Sequence, residues 1–149
     1  MRQRRPRTRA RRDAERAATL TLDSRSYSAD APPPLGVTVN NSGTVTALGR
    51  GGTALSATAY VATGTTSAAN VDVVNSGTLS TETAGGSNRG RFGGFFFVPS
   101  TAVTLLANGA ITLTNQAGGV IAAPDSGSIA VVAASSGGTF ALDNAGTID

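Results

Sequence analysis

The sequence predicts an all-β solenoid, a parallel β-helix of about four coils, and three observations carry that expectation. One phrase recurs: Val37-Thr-Val-Asn-Asn41-Ser-Gly43-Thr-Val45, Val71-Asp-Val-Val-Asn75-Ser-Gly77-Thr-Leu79, Ile111-Thr-Leu-Thr-Asn115-Gln-Ala-Gly-Gly119-Val-Ile121 and Phe140-Ala-Leu-Asp-Asn144-Ala-Gly146-Thr-Ile148. Its Asn-to-Asn spacings, 34, 40 and 29 residues, are those of stacked structural repeats. Composition is the second observation: 19 Gly, abundant Ser, Thr, Ala, Val and Asn, little Leu, and no Lys, Cys, His or Trp. Small and β-branched side chains suit narrow pleated layers and leave too little bulk for a helical bundle. Third, no segment longer than a turn or two has helical periodicity, while strand and turn signals alternate to the end.

Residues 1–34 read as a disordered Arg-rich and Pro-rich tail, and residues 35–149 as the repeat region. Eight of the twelve Lys+Arg residues are Arg at positions 2–16, opposed there only by Asp13 and Glu15. The formal charge of +3 therefore describes the tail, and the body is weakly acidic and poor in charge. The basic start resembles the first part of a signal peptide, but no apolar run of ~7–15 residues follows it. Nor does any stretch approach the ~20 apolar residues of a membrane helix. Pro32-Pro33-Pro34 stiffens the chain and marks the expected boundary of the folded part.

Beyond the boundary, strands are expected over the four motif segments and over Ala54 to Ala62, Phe95 to Val98, Ala102 to Leu106 and Ile129 to Ala133. Gly49-Arg-Gly-Gly52, Gly85-Gly-Ser-Asn-Arg-Gly90 and Ser135-Ser-Gly-Gly138 separate them as turns. Three strands of ~5 residues and their turns close one coil, each ~4.8 Å above the last, so four motif copies give a rod on the order of 15 to 20 Å long. At the corner after each motif strand, Gly or Asn is expected to take positive φ. Asn41, Asn75, Asn115 and Asn144 are then expected to stack with their amides hydrogen-bonded as a ladder, each followed by its corner glycine, Gly43, Gly77, Gly119 and Gly146. The third copy carries two extra residues, which predicts a wider turn and leaves its glycine match open between Gly118 and Gly119. The alternative is Asn-Ser-Gly as a hairpin turn in an antiparallel sheet. Hairpins place a turn every ~8–12 residues, far more often than this phrase returns.

The phrase (Val/Ile)-x-(Val/Leu)-x-Asn-x-Gly-Thr-(Ile/Val/Leu), carried by Asn41 to Val45, Asn75 to Leu79 and Asn144 to Ile148, with Asn115 to Ile121 as the variant copy, resembles the passenger regions of bacterial autotransporters and filamentous-haemagglutinin-like surface adhesins. The resemblance covers roughly residues 35–149. It implies a right-handed parallel β-helix, export through an outer-membrane translocator barrel, display at the cell surface or release, and adhesive contact with host, matrix or sibling-cell ligands. The chain departs from that pattern in having no recognisable signal peptide, no barrel with ~10-residue alternating strands and no polar capping coil after the last motif. These departures predict a fragment or a misassigned start, with open end coils prone to self-association.

No catalytic residue, metal site or cofactor is expected. Without Cys or His, thiol chemistry, Cys-ligated zinc and the commonest general base are absent. Some parallel β-helices degrade polysaccharides with clustered acids, so a fragment of such an enzyme is one alternative and a phage or appendage fibre another. The acids of the repeat region, Asp72, Glu82, Asp125, Asp143 and Asp149, occupy different places in the repeat. Arg89, Arg91, Phe92, Phe95, Phe96 and Phe97 form the candidate contact patch: three successive Phe in a strand put at least one outward. Asn88 to Gly94 also resembles one copy of an Arg-Gly-Gly RNA-binding patch, but one copy between strands reads as a loop, and no specific nucleic-acid partner is expected.

Overall fold

The structure is a computed structural model that describes residues 20–26, 36–49, 51–61, 68–82 and 99–149. Twelve strands form among these residues: β1 (Leu20–Ser26), β2 (Gly36–Asn41), β3 (Thr44–Leu48), β4 (Thr53–Val61), β5 (Asn70–Asn75), β6 (Thr78–Glu82), β7 (Thr101–Ala107), β8 (Ile111–Asn115), β9 (Val120–Ala122), β10 (Ile129–Ser135), β11 (Phe140–Asn144) and β12 (Thr147–Ile148). They make three sheets, ordered β1-β4-β7-β10, β2-β5-β8-β11 and β3-β6-β9-β12, and every pairing is parallel. Each strand thus lies on the strand three places earlier in the chain. The chain closes one coil per three strands and climbs through four coils, a parallel β-helix; uniformly parallel pairing excludes the hairpin reading.

Alternation of apolar and polar residues sets which side of each strand faces the axis. In the second sheet the inward rows are Val37-Val71-Ile111-Phe140, Val39-Val73-Leu113-Leu142 and Asn41-Asn75-Asn115-Asn144, each in register from coil to coil. Leu55 and Val103 form part of the inward row of the first sheet, Leu79 and Ile121 of the third, and all four are fully buried. The core is a set of columns one side chain wide, which is why residues as small as Ala57, Ala59 and Ala107 fill it.

The largest variation in coil length lies at the corners. The step from the third sheet to the first is short at residues 49–52 and 123–128 but takes residues 83–100 between β6 and β7. That connection contains the expected strand Phe95 to Val98, which lies outside the described residues. The boundary expected at Pro32 to Pro34 needs correction at one point: Leu20–Ser26, read as tail, is β1 and pairs with β4 from Leu20↔Leu55 to Ser26↔Val61. The short apolar-polar alternation Leu20-Thr21-Leu22 meets its partner only through a contact about one coil away in sequence, so local reading undervalues it.

One core position is frustrated. Thr81 of β6 is fully buried and its Oγ1 has no hydrogen-bond partner. Thr81→Val keeps the shape and removes the stranded hydroxyl, so it is expected to stabilise the chain by about 1 kcal/mol. A higher urea midpoint at unchanged m-value would show it; a lower midpoint would mean that the hydroxyl is satisfied.

Candidate functional site

The four motif asparagines form a continuous ladder at the corner between the second and third sheets. Asn41 Nδ2 donates to Asn75 Oδ1 at 2.7 Å, Asn75 Nδ2 to Asn115 Oδ1 at 2.8 Å, and Asn115 Nδ2 to Asn144 Oδ1 at 2.8 Å. Each Nδ2 also lies within reach of two backbone carbonyls: Gly43 and Thr78 for Asn41, Gly77 and Val120 for Asn75, Gly119 and Thr147 for Asn115. Asn75 and Asn115 are fully buried, and this set of partners is what makes a primary amide tolerable there. All the amides point the same way, donor toward the later coil.

The corner glycines have a different reason from the one expected. Among the described residues only Gly49, Gly51, Gly118 and Gly127 have positive φ, and no residue other than glycine does. Asn41, Asn75, Asn115 and Asn144, and Gly43, Gly77, Gly119 and Gly146, therefore turn without the left-handed conformation. What demands glycine is the approach of one coil to the next. A Cβ on Gly77 would run into the Gly43 carbonyl, one on Gly119 would meet Asn75 O at 2.6 Å, and one on Gly146 would run into Gly119 O. The same stacking identifies the third copy's equivalent glycine as Gly119, because Val120 N donates to Gly77 O and Thr147 N donates to Gly119 O. Gly118 belongs to the widened turn and takes φ +83°.

Two side chains that the motif did not single out perform similar work at the corner between the first and second sheets. Asn108 Oδ1 accepts from Val61 N and Ala69 N, bridging the two ends of the connection spanning residues 62–69. Asn70 Oδ1 accepts from Ala110 N at 2.8 Å. Neither asparagine sits in the repeated phrase, and the only sequence signal was their position beside predicted strands.

Outward positions of the second sheet carry mostly short polar groups, interrupted by Val74 and Ala141, while Leu48, Tyr60 and Ile129 are exposed apolar side chains elsewhere on the surface. The second sheet shows the rows Thr38-Asp72-Thr112-Ala141 and Asn40-Val74-Thr114-Asp143, and on the third sheet Thr46 Oγ1 and Ser80 Oγ are 3.0 Å apart. The register puts Asp72 and Asp143 two coils and two positions apart, roughly 12 Å. That exceeds the ~5–9.5 Å over which paired carboxylates cooperate in glycoside hydrolysis. No three Asp or Glu among the described residues are grouped to hold a metal ion, and no helix among them is long and apolar enough to cross a membrane. Arg89, Arg91, Phe92, Phe95, Phe96 and Phe97, the candidate contact patch, lie outside the described residues.

The fold and ladder define the class: a parallel β-helix of stacked repeats with an internal amide spine. No family model matches the chain, and neither a curated protein nor a solved structure matches it.

Proposed function

We propose that this chain is a structural and adhesive repeat segment of a bacterial surface-displayed or secreted protein of the autotransporter type. The observation that carries the reading is the uninterrupted asparagine spine through four coils, clad in outward rows made mostly of short hydroxyl, amide and carboxylate side chains. Such a rod presents a repeating polar surface whose individual contacts are weak and whose number supplies avidity. The resemblance of the Asn-x-Gly-Thr phrase to autotransporter passengers adds the cell surface as the location and an outer-membrane barrel as the partner for export. Host, matrix or sibling-cell surfaces are the ligands in this reading.

The test is to express the full chain between a signal peptide and a translocator barrel in a Gram-negative host. Expected is protease-accessible chain on intact cells, together with increased adhesion to matrix-coated surfaces or to one another. Surface display without any adhesion would remove the adhesive role. Reducing sugar released from soluble polysaccharides by the purified chain would move the assignment to a degrading enzyme.

A further inference from the structure

We propose that Asn108-Gly109 is a hydrolytic modification site, at which the Asn108 side-chain amide is lost as ammonia, and that the corner between the first and second sheets gates the reaction. Asn108-Gly109 is the one Asn-Gly pair in the sequence. The four spine asparagines are followed instead by Ser42, Ser76, Gln116 and Ala145, whose side chains hinder attack by the following backbone nitrogen. The fold imposes the pair. Asn108 supplies an oxygen that accepts from Val61 N at 3.3 Å and from Ala69 N at 3.0 Å. Gly109 supplies the lack of a side chain: a Cβ there would run into Asn70 Oδ1 and meet Ala69 O at 2.7 Å. Two separate demands of coil stacking thus place the reactive dipeptide at this corner.

In the reaction Gly109 N gives its proton to hydroxide and attacks Asn108 Cγ. The bond from Gly109 N to Cγ forms, the Cγ–Nδ2 bond breaks, and Nδ2 takes a proton from water and leaves as ammonia. Water then opens the five-membered imide. Breaking the new bond at Cγ gives aspartate, and breaking the original peptide bond gives isoaspartate; nothing is oxidised or reduced. Attack requires Gly109 N to be released and turned over Cγ.

The folded corner withholds that geometry. Gly109 N donates to Ala69 O at 2.9 Å, so its proton faces a carbonyl and not hydroxide. The Asn108 side chain is pinned by the two bonds to Oδ1, with Nδ2 3.5 Å from Val61 O. From the next coil Ser135 Oγ donates to Gly109 O at 2.6 Å, and Ser136 N donates to Ala107 O at 3.1 Å. The Asn108-Gly109 peptide cannot rotate without breaking bonds to the coils on both sides. Reaction therefore proceeds from the opened corner, at a rate scaled by the population of that state. The products differ in what they rebuild. Aspartate keeps an oxygen for Val61 N and Ala69 N. Isoaspartate routes the main chain through Cβ and Cγ, which lengthens it by one carbon and carries Gly109 N away from Ala69 O.

The test holds the full chain in warm, mildly alkaline buffer, either folded or in concentrated urea, and follows its peptides by mass spectrometry with aspartyl and isoaspartyl forms separated. In urea Asn108 is expected to react before every other asparagine. In the folded chain it is expected to react at least about tenfold more slowly. Ser135→Ala removes the bond to Gly109 O, and Ala69→Pro removes one donor to Asn108 Oδ1. Each is expected to raise the folded rate severalfold with the β-sheet circular dichroism kept. On dilution from urea, aspartyl chains are expected to regain the parent's urea midpoint and isoaspartyl chains a lower one. Equal rates at Asn108 in the two conditions, another asparagine reacting first in urea, a folded rate that neither variant raises, or isoaspartyl chains that regain the parent's midpoint would each overturn the proposal.

Discussion

Gly77→Ala is expected to destabilise the chain by about 3 kcal/mol, while Gly43→Ala, the same exchange at the same place in the repeat, leaves monomer stability unchanged or slightly improved. The added methyl on Gly77 meets not a flexible side chain but the backbone of Ser42 and Gly43, so two coils must separate. Separation would lengthen the hydrogen bonds of this junction, Ser76 N to Asn41 O at 2.8 Å and Thr78 N to Gly43 O at 2.8 Å, and pull on the amide spine. Gly43 meets nothing and its φ is not positive, so alanine there only narrows the unfolded ensemble. Urea unfolding of both variants, at a concentration where the chains are monomeric, measures the difference directly. Equal destabilisation would show that the corner needs glycine for backbone conformation after all.

Asn115→Ala is expected to cost about 3 kcal/mol, and Asn144→Ala about 1 kcal/mol or less. Asn115 is fully buried; it donates to Asn144 Oδ1, Gly119 O and Thr147 O and accepts from Asn75 Nδ2. Alanine removes the acceptor of a buried amide hydrogen and the donor to two carbonyls at once, and leaves a void between coils too narrow to repack. Asn144 is exposed at the last coil, so water replaces most of what its loss removes. Asn115→Asp separates shape from hydrogen bonding: it fills the same space but has no amide hydrogens, and as a carboxylate it would face carbonyls. It is expected to be at least as damaging as alanine. A small effect at Asn115, comparable to that at Asn144, would show that the spine is decorative.

The strands could be read from the sequence because alternation is local. Val71, Val73 and Asn75 declare one face of a strand within a few residues, and the return of that pattern at Ile111, Leu113 and Asn115 declares the coil above. The two extra residues of the third copy likewise foretold a wider turn, and Gly118 at φ +83° lies in it. The role of the corner glycines was misread for a physical reason: Asn-Ser-Gly carries the same letters whether glycine is needed for positive φ or for close approach. The φ of Gly77, which is not positive, and its close approach to Gly43 one coil away separate the two. Asn70 and Asn108 escaped notice because their partners, Ala110, Val61 and Ala69, are set by how the corners stack and not by any repeated phrase.

By itself, then, the sequence determined the class of fold, the number of coils and the asparagine column, since all three rest on alternation and period. The tertiary structure alone decided that Leu20–Ser26 joins the first sheet, that Thr81 Oγ1 is stranded, and that glycine is required at Gly77 and not at Gly43. Each of these depends on what lies a coil above or below, a distance of ~4.8 Å in space but some thirty to forty residues in sequence, where local patterning carries no information about contact.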